Sequence, residues 1–142
     1  MEKMLFSGVQ SNSEVALIAI KGIKNQPGIA AKVFVAIAEE KINVELILQS
    51  IGRAGTKDIS FTVDDKDLDD AMAVLDENKA RLGYQELHSE RNIAKLSIVG
   101  AGMMSNPGVA AKMFESLYNE GVNINMISTS EIRVTVLINE KD

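Results

Sequence analysis

A six-residue segment near the start of the chain recurs eighty positions later. Residues 27–32 read Pro-Gly-Ile-Ala-Ala-Lys, and residues 107–112 read Pro-Gly-Val-Ala-Ala-Lys. The similarity extends over residues 16–48 and 96–128, which align without gaps and are identical at about a third of positions. The period is too long for a solenoid repeat, and there are only two copies. The duplication therefore predicts two tandem copies of one small domain.

Both copies begin with the pattern of a strand followed by a helix. Residues 14–20 and 94–100 are apolar, β-branched runs typical of strands. A polar turn and Pro-Gly follow, and proline suits the first turn of a helix because its missing N–H has no intrahelical partner there. Apolar residues then recur at helical spacing. These predicted buried stripes are Ile29, Val33, Phe34 and Ile37 in the first copy, and Val109, Met113, Phe114 and Leu117 in the second.

The rest of the first copy completes a recognisable order of elements. It comprises strand 42–50, turn 52–55, strand 58–63, a helix to about Leu82 and strand 84–89. Asp64 or Asp65 is expected to cap the helix and Gly83 to end it. Its predicted buried stripe is Leu68, Met72, Leu75 and Leu82. The order β-α-β-β-α-β predicts an α+β fold of two tandem ferredoxin-like domains, with antiparallel sheets and helices on one face.

The second copy contains strands 122–129 and 132–138 but no counterpart of the second helix. The predicted domains are residues 15–90 and residues 91–142. A spare N-terminal strand within residues 3–10 is expected to supply the fourth strand of the second domain. Where that second helix is missing, one face of the last strand is expected to be exposed unless another element covers it. The residues on that face are Val134, Val136 and Ile138.

Charge and composition argue against several classes of partner. The net charge is -5, and the 15 Lys and Arg residues are scattered, whereas phosphate backbones need a concentrated basic surface. No apolar run approaches the roughly 20 residues of a membrane span. The chain has no Cys, which is consistent with a cytoplasmic protein. We therefore expect no nucleic acid and no membrane among its partners, and a cytoplasmic location.

The sequence contains few residues that could form a catalytic or cofactor-binding site. Residues 100–102 read Gly-Ala-Gly after a strand, but Ser105 replaces the third glycine of a dinucleotide fingerprint. His88 is the single histidine, and there is no Cys to pair with it. The acidic run at residues 64–70 lacks the spacing of a Ca²⁺ loop and is interpreted as a charged helix start. No catalytic residue, metal ligand or cofactor is predicted.

The two Pro-Gly helix starts are the strongest candidate binding features. A helix N-terminus presents free N–H groups and a positive partial charge that suit a carboxylate. Ala30 and Ala31 are small enough to let a ligand approach, and Asn43 and Asn123 could add polar contacts. The alternative is that Pro-Gly is only a good helix start and that its recurrence reflects duplication alone. The residues by themselves leave both interpretations open.

Four segments resemble a known family. Residues 26–34, 57–63, 99–103 and 122–132 carry the resemblance, and the last of them reads Val-Asn-Ile-Asn-Met-Ile-Ser-Thr-Ser-Glu-Ile. They are similar to the pair of ACT domains in the regulatory region of aspartokinase, and the resemblance covers nearly the whole chain. It implies that each repeat is an ACT domain, that amino acids bind where two such domains pair edge to edge, and that the N-terminal strand completes the second domain.

The resemblance also implies two effector pockets. The first would use Asn25, Gln26, Pro27, Gly28, Ala30, Asn43, Val44, Glu45 and Gln49. The second would use Asn106, Pro107, Gly108, Val109, Asn123, Ile124, Asn125 and Ser130. Ser60 falls where changes in relatives relieve feedback inhibition. The family commonly has Asp where this chain has Asn25 and Asn125, and a shorter Asp where it has Glu45.

The function implied by the resemblance is feedback regulation of aspartate kinase. L-lysine or L-threonine, or both, would bind the ACT domains of a homodimer, and a catalytic domain or subunit would sense this binding. The chain resembles only the regulatory part and is not expected to phosphorylate aspartate by itself. The alternative is an ACT-type assembly module that binds no effector. A small transferase would need a catalytic constellation that the sequence does not contain.

Overall fold

The computed structural model describes residues 8–52, 54–99, 107–129 and 133–139. Two compact units divide the chain: one is Glu14–Arg91, and the other comprises the described residues of Met1–Ser13 and Asn92–Asp142. The elements are β1 (Gly8–Lys24), α1 (Ile29–Glu39), β2 (Glu45–Ile51), β3 (Thr56–Asp64), a 3₁₀ turn (Asp65–Asp67), α2 (Leu68–Glu77), α3 (Lys79–Leu82), β4 (Glu86–Val99), α4 (Pro107–Asn119), β5 (Ile124–Thr129) and β6 (Arg133–Asn139).

Two strands are longer than predicted because each joins two predicted strands. β1 continues without a break from the N-terminal segment into the first strand of the first copy. β4 likewise joins the last strand of the first copy to the first strand of the second. Neither stretch contains a proline, and no glycine interrupts residues 9–21 or 84–99, so the backbone has no strong reason to turn. Residues 3–7 of the predicted N-terminal strand lie outside the described residues.

The first unit has the strand order β2-β3-β1-β4. β3 pairs antiparallel with both β1 and β2, and β2 forms one edge of the sheet. On the other side of β1, the N–H of Gln85 donates to the Lys21 carbonyl at 2.8 Å, just before β4 begins. This order, with α1 and α2 packed on one face, is that of the predicted ferredoxin-like fold.

The core of the first unit is aliphatic and lies between the sheet and its helices. Ile18, Ile20 and Phe61 from the sheet are fully buried, as are Val33 and Ile37 from α1. The rings of Phe34 and Phe61 meet edge to face with centroids 5.5 Å apart. Both predicted helical stripes are confirmed on this face: Val33, Ile37, Leu68, Leu75 and Leu82 are buried, and Ile29, Phe34 and Met72 are partly buried. Each fully buried side chain of this size contributes about 1.5–3 kcal/mol through removal from water.

The predicted second helix is interrupted, and its predicted cap is wrong. A 3₁₀ turn precedes α2, and Asn78 separates α2 from α3. Neither Asp64 nor Asp67 makes a side-chain capping bond, and the Asp65 carboxylate instead contacts Arg91 at 3.6 Å. The predicted end at Gly83 is confirmed, since this residue has φ +71° and its N–H donates to the Lys79 carbonyl at 2.7 Å.

In the second unit, β6 lies between β4 and β5 and pairs antiparallel with both. The sequence left open whether another element covers Val134, Val136 and Ile138, and in the structure all three are buried. They pack with Met113, and Phe114 and Leu117 lie against the same cluster. α4 therefore covers this face of β6, although the second copy has no counterpart of the second helix. No helix within the described part of the chain is long and apolar enough to cross a membrane.

Candidate functional site

The first helix start presents backbone amides next to a tight turn. α1 begins at Ile29, directly after Pro27 and Gly28, and Gly28 occupies the cap position with φ +90°. The N–H of Lys32 donates to the Gly28 carbonyl at 3.1 Å, which closes the first helical turn. The N–H groups of Ala30 and Ala31 lie within that turn, where no preceding helical carbonyl can accept them. No acidic side chain occupies the first turn of α1. An incoming carboxylate would therefore meet no like charge there.

Backbone hydrogen bonds anchor the loop before α1. The N–H of Asn25 donates to the Gly55 carbonyl at 2.9 Å, and the N–H of Gln26 donates to the Lys24 carbonyl at 2.9 Å. The side chains of Asn25, Gln26 and Pro27 are exposed. The loop is thus fixed at its backbone while its side chains remain accessible.

The second group of predicted site residues lies on the edge strand β2 and just before it. Asn43, Glu45 and Gln49 are exposed, whereas Val44 packs against the core of the first unit. The same strand exposes apolar side chains: Ile47, Leu48 and Ile51 are 51%, 47% and 92% exposed. An edge strand with unpaired backbone groups and exposed apolar residues is suited to pairing with another strand.

One unit does not bring the two halves of the predicted first pocket together. Glu45 pairs with Thr62 on β3, whereas Thr56 on β3 pairs with Lys24, next to the Asn25 loop. Thr62 lies six positions after Thr56 along the strand, a distance of about 20 Å at roughly 3.3 Å per residue. Gln49, which pairs with Ile59, lies nearer the loop. A pocket that uses both Asn25 and Glu45 therefore needs a contribution from another ACT domain.

Ser60 lies between these two ends, in the middle of the sheet. It pairs with Ala19 on β1 and with Leu48 on β2, and it is half-buried. Its neighbours along β3, Ile59 and Phe61, are fully buried in the helix-facing core. Alternation along the strand thus directs Ser60 to the opposite face of the sheet.

The second set of predicted residues differs from the first in backbone geometry. α4 begins at Pro107, so Pro107, Gly108 and Val109 are its first three residues. Asn123 is exposed, and Ile124 packs against the core of the second unit. Asn125 is part of β5, while Asn106 and Ser130 lie outside the described residues. The two copies therefore do not present identical helix starts.

The remaining polar clusters do not form a catalytic arrangement among the described residues. His88 Nε2 lies 3.0 Å from the Glu86 carboxylate, and both side chains are more than half exposed. Part of the acidic run beside α2 is held by Arg91, whose guanidinium donates to Asp69 at 3.0 Å. Tyr84 donates its hydroxyl to the Leu75 carbonyl at 3.0 Å, and burial, followed by the charge of Asp76, raises its pKa. No described group of three His, Cys, Asp or Glu is placed to hold a metal ion.

Sequence reasoning missed the residues that support the loop and the edge strand. The N–H of Gly22 donates to the Asp58 carboxylate at 3.0 Å, and the Thr62 hydroxyl donates to the Glu45 carbonyl at 3.0 Å. These contacts join residues 36 and 17 positions apart. The sequence carried no signal for them beyond a polar residue in an otherwise apolar strand.

Comparison with known proteins identifies the family to which this fold belongs. The ACT domain family model matches residues 18–78 and 96–142. The regulatory subunit of aspartate kinase from Thermus thermophilus superposes with a TM-score of 0.89 at 41% identity, over 96% of this chain and 90% of that one. The chain belongs to the ACT-domain regulatory family of aspartate kinase. The resemblance and the fold class inferred from the sequence are thereby confirmed.

Other relatives define which part of aspartate kinase this ACT region matches. A crystal structure of aspartokinase alpha and beta subunits superposes with a TM-score of 0.88 at 40% identity, over 96% of this chain and 89% of the other. The aspartokinase of Pseudomonas aeruginosa is 43% identical over 141 residues, and that of Bacillus sp. strain MGA3 is 42% identical over 139 residues. The match takes in 99% and 98% of this chain but only 34% of each relative. The ACT region thus spans about a third of the length of these relatives and corresponds to their regulatory part.

Proposed function

We propose that this ACT region binds an amino-acid effector, L-lysine or L-threonine or both, and transmits feedback inhibition to an aspartate kinase catalytic domain or subunit. The observation that carries the proposal is that two groups of residues with complementary chemistry, which we treat as half-sites, lie at opposite ends of one unit. The Asn25 loop with the α1 amides is one half-site, and the Glu45 end of β2 is the other. Neither half-site alone satisfies both charged groups of an amino acid.

Each half-site suits one end of an amino acid. The effector carboxylate would accept hydrogen bonds from the Ala30 and Ala31 amides at the positive end of α1. Its ammonium group would pair with Glu45, the only carboxylate among the proposed first-pocket residues. Asn25 and Gln49 supply amide groups for orientation. The second-pocket residues include no charged side chain, so we propose that the first pocket binds the effector more tightly.

A homodimer would bring the two half-sites together. If two β2 edges pair antiparallel, Glu45 of one copy lies beside the Ile51 end of the other. Ile51 pairs with Lys57, which pairs with Ile23, two residues before the Asn25 loop. A two-fold axis would thus form two equivalent sites from one interface. Binding would then favour one pairing geometry of the dimer, and the catalytic partner would sense that shift in population.

Calorimetric titration of the chain with L-lysine, L-threonine and L-methionine tests this proposal. We expect saturable heat from lysine or threonine with one effector per chain, and none from the Glu45→Gln variant. Glu39→Gln, an exposed carboxylate change at the end of α1, is the matched control and is expected to bind normally. A folded dimer that gives no heat with any of the three amino acids would contradict the proposal.

An assembly module without an effector remains the second candidate. The exposed apolar residues of β2 favour it, because strand pairing alone would bury them. Under this alternative, the combined Asn43→Ala and Gln49→Ala variant leaves both the oligomer and its regulatory effect unchanged. Under the effector proposal, the same variant still dimerises but responds to the effector only at a higher concentration.

A further inference from the structure

The edge strand β2 contains a bulge beside Glu45. Glu45 pairs with Thr62 and Leu48 pairs with Ser60, so Leu46 and Ile47 together oppose the single residue Phe61. Leu46 has φ +41°, a left-handed conformation that side chains with a Cβ seldom adopt. Such bulges at sheet edges redirect the residues beside them.

The bulge determines which face of the sheet carries Glu45. Phe61 points into the helix-facing core, so Thr62 points to the opposite face, and Glu45 directly across from it shares that face. Without the extra residue, the register that pairs Leu48 with Ser60 would place Glu45 opposite Val63, a residue of the helix-facing core, and would turn the carboxylate towards the core. In the structure, Val44 packs against the core and Glu45 is exposed.

Thr62 holds the bulge from the neighbouring strand. Its side chain is on the face opposite the helices, only 1% of the residue is exposed, and its hydroxyl donates to the Glu45 carbonyl at 3.0 Å. A buried hydroxyl without a partner is costly, so the bond favours the backbone arrangement that provides the acceptor. Valine at this position would keep the shape and the β-branch but would remove the donor.

We propose that Thr62 is a positioning residue for the effector site, which keeps the bulge at Leu46 in place and thereby presents Glu45 to the effector. The expected effect on effector binding rests on the proposed function. The expected effect on the bulge does not depend on any ligand. Thr62 itself would not touch the effector. It acts through the backbone carbonyl of Glu45.

The first test follows amide hydrogen exchange at residues 46–48 in the ligand-free protein. Thr62→Val is expected to speed exchange there about five-fold, the effect of losing one hydrogen bond, and Thr62→Ser to leave it near the wild-type rate. Thr135→Val is the matched control: Thr135 is a buried threonine of the second unit whose hydroxyl lies 2.9 Å from that of Ser97. We expect this control to leave exchange at residues 46–48 unchanged.

The second test measures effector binding by calorimetry with L-lysine and L-threonine as probes. Thr62→Val is expected to weaken binding about ten-fold, and Thr62→Ser to restore it to within about two-fold of wild type. Wild-type protein that binds neither amino acid would contradict the proposed function. Unchanged exchange at residues 46–48 in Thr62→Val, or equal binding by Thr62→Val and wild type, would overturn the positioning role.

Discussion

The N–H of Gly22 donates to the Asp58 carboxylate at 3.0 Å, which ties the end of β1 to the start of β3. Gly22 lies at an irregularity in β1 between Ile20 and Ile23, and it has φ +77°. A Cβ added at Gly22 would lie 2.7 Å from the Gln85 side chain, so no other residue fits there without movement. The loop that begins at Asn25 leaves the sheet three residues later. By holding the backbone at Gly22, Asp58 helps to set the direction in which the loop leaves the sheet.

Removal of the Asp58 carboxylate is expected to destabilise the first unit. In Asp58→Ala the buried N–H of Gly22 loses its acceptor, at a cost of about 1–3 kcal/mol in the free energy of unfolding. Asp58→Asn keeps a side-chain oxygen and should lose less than half of that amount. Asp64→Ala, an exposed carboxylate at the other end of the same strand, is the control. Urea unfolding measures all three variants, and equal midpoints for Asp58→Ala and Asp64→Ala would contradict this role.

A charge on the exposed edge of β2 is expected to separate the proposed dimer. Ile51 is 92% exposed in the single chain, and lysine on a strand edge opposes pairing with another strand. Ile51→Lys should raise the dissociation constant of the dimer at least about ten-fold without loss of the folded state. Sedimentation velocity at several protein concentrations makes the measurement. Tyr118→Lys changes another highly exposed side chain, which lies on α4 and is 81% exposed, and should leave the proposed dimer intact.

Tyr84 is expected to make stability fall at alkaline pH. Its burial, followed by the charge of Asp76, raises its pKa above the ordinary value of 10.0, so the folded state favours the protonated phenol. The contribution of Tyr84 to the free energy of unfolding is fully present below the ordinary pKa. It is lost as the pH rises through the pKa of the folded state. Tyr84→Phe removes this ionisation and should flatten the decline in unfolding free energy above about pH 10. Identical slopes for Tyr84→Phe and wild type would show that other groups cause the decline.

The sequence was sufficient to predict elements that depend on local pattern. The stripe of Val33 and Ile37 follows from helical spacing, and the end of α3 at Gly83 follows from the freedom of glycine to adopt a positive φ. Strand boundaries were harder to predict from the sequence, because the joining of predicted strands into β1 and β4 depends on pairing with distant strands. The interruption of the second helix at Asn78 likewise had no clear signal in the periodicity.

The candidate site was predicted as a set of residues but not as a geometry. Residue types and family resemblance pointed to Asn25 and Glu45, yet no sequence pattern indicates that they lie about 20 Å apart along β3. The bulge at Leu46 and its support by Thr62 depend on the register between two strands, which a single sequence does not specify. The sequence left the burial of Val136 open because the reach of α4 over β6 depends on tertiary packing.

The most direct test of the account asks whether each effector site is shared between two copies. Ala31→Glu places a carboxylate among the free amides of α1, and Glu45→Lys reverses the charge on β2, so each variant alone should bind no L-lysine or L-threonine. Equal mixing of the two chains makes half of the dimers mixed, and each mixed dimer has one unaltered shared site. Calorimetry on the mixture should then recover about a quarter of the wild-type binding capacity, because one of two sites survives in half of the dimers. A mixture that binds no more effector than the separate variants would contradict a site shared between copies.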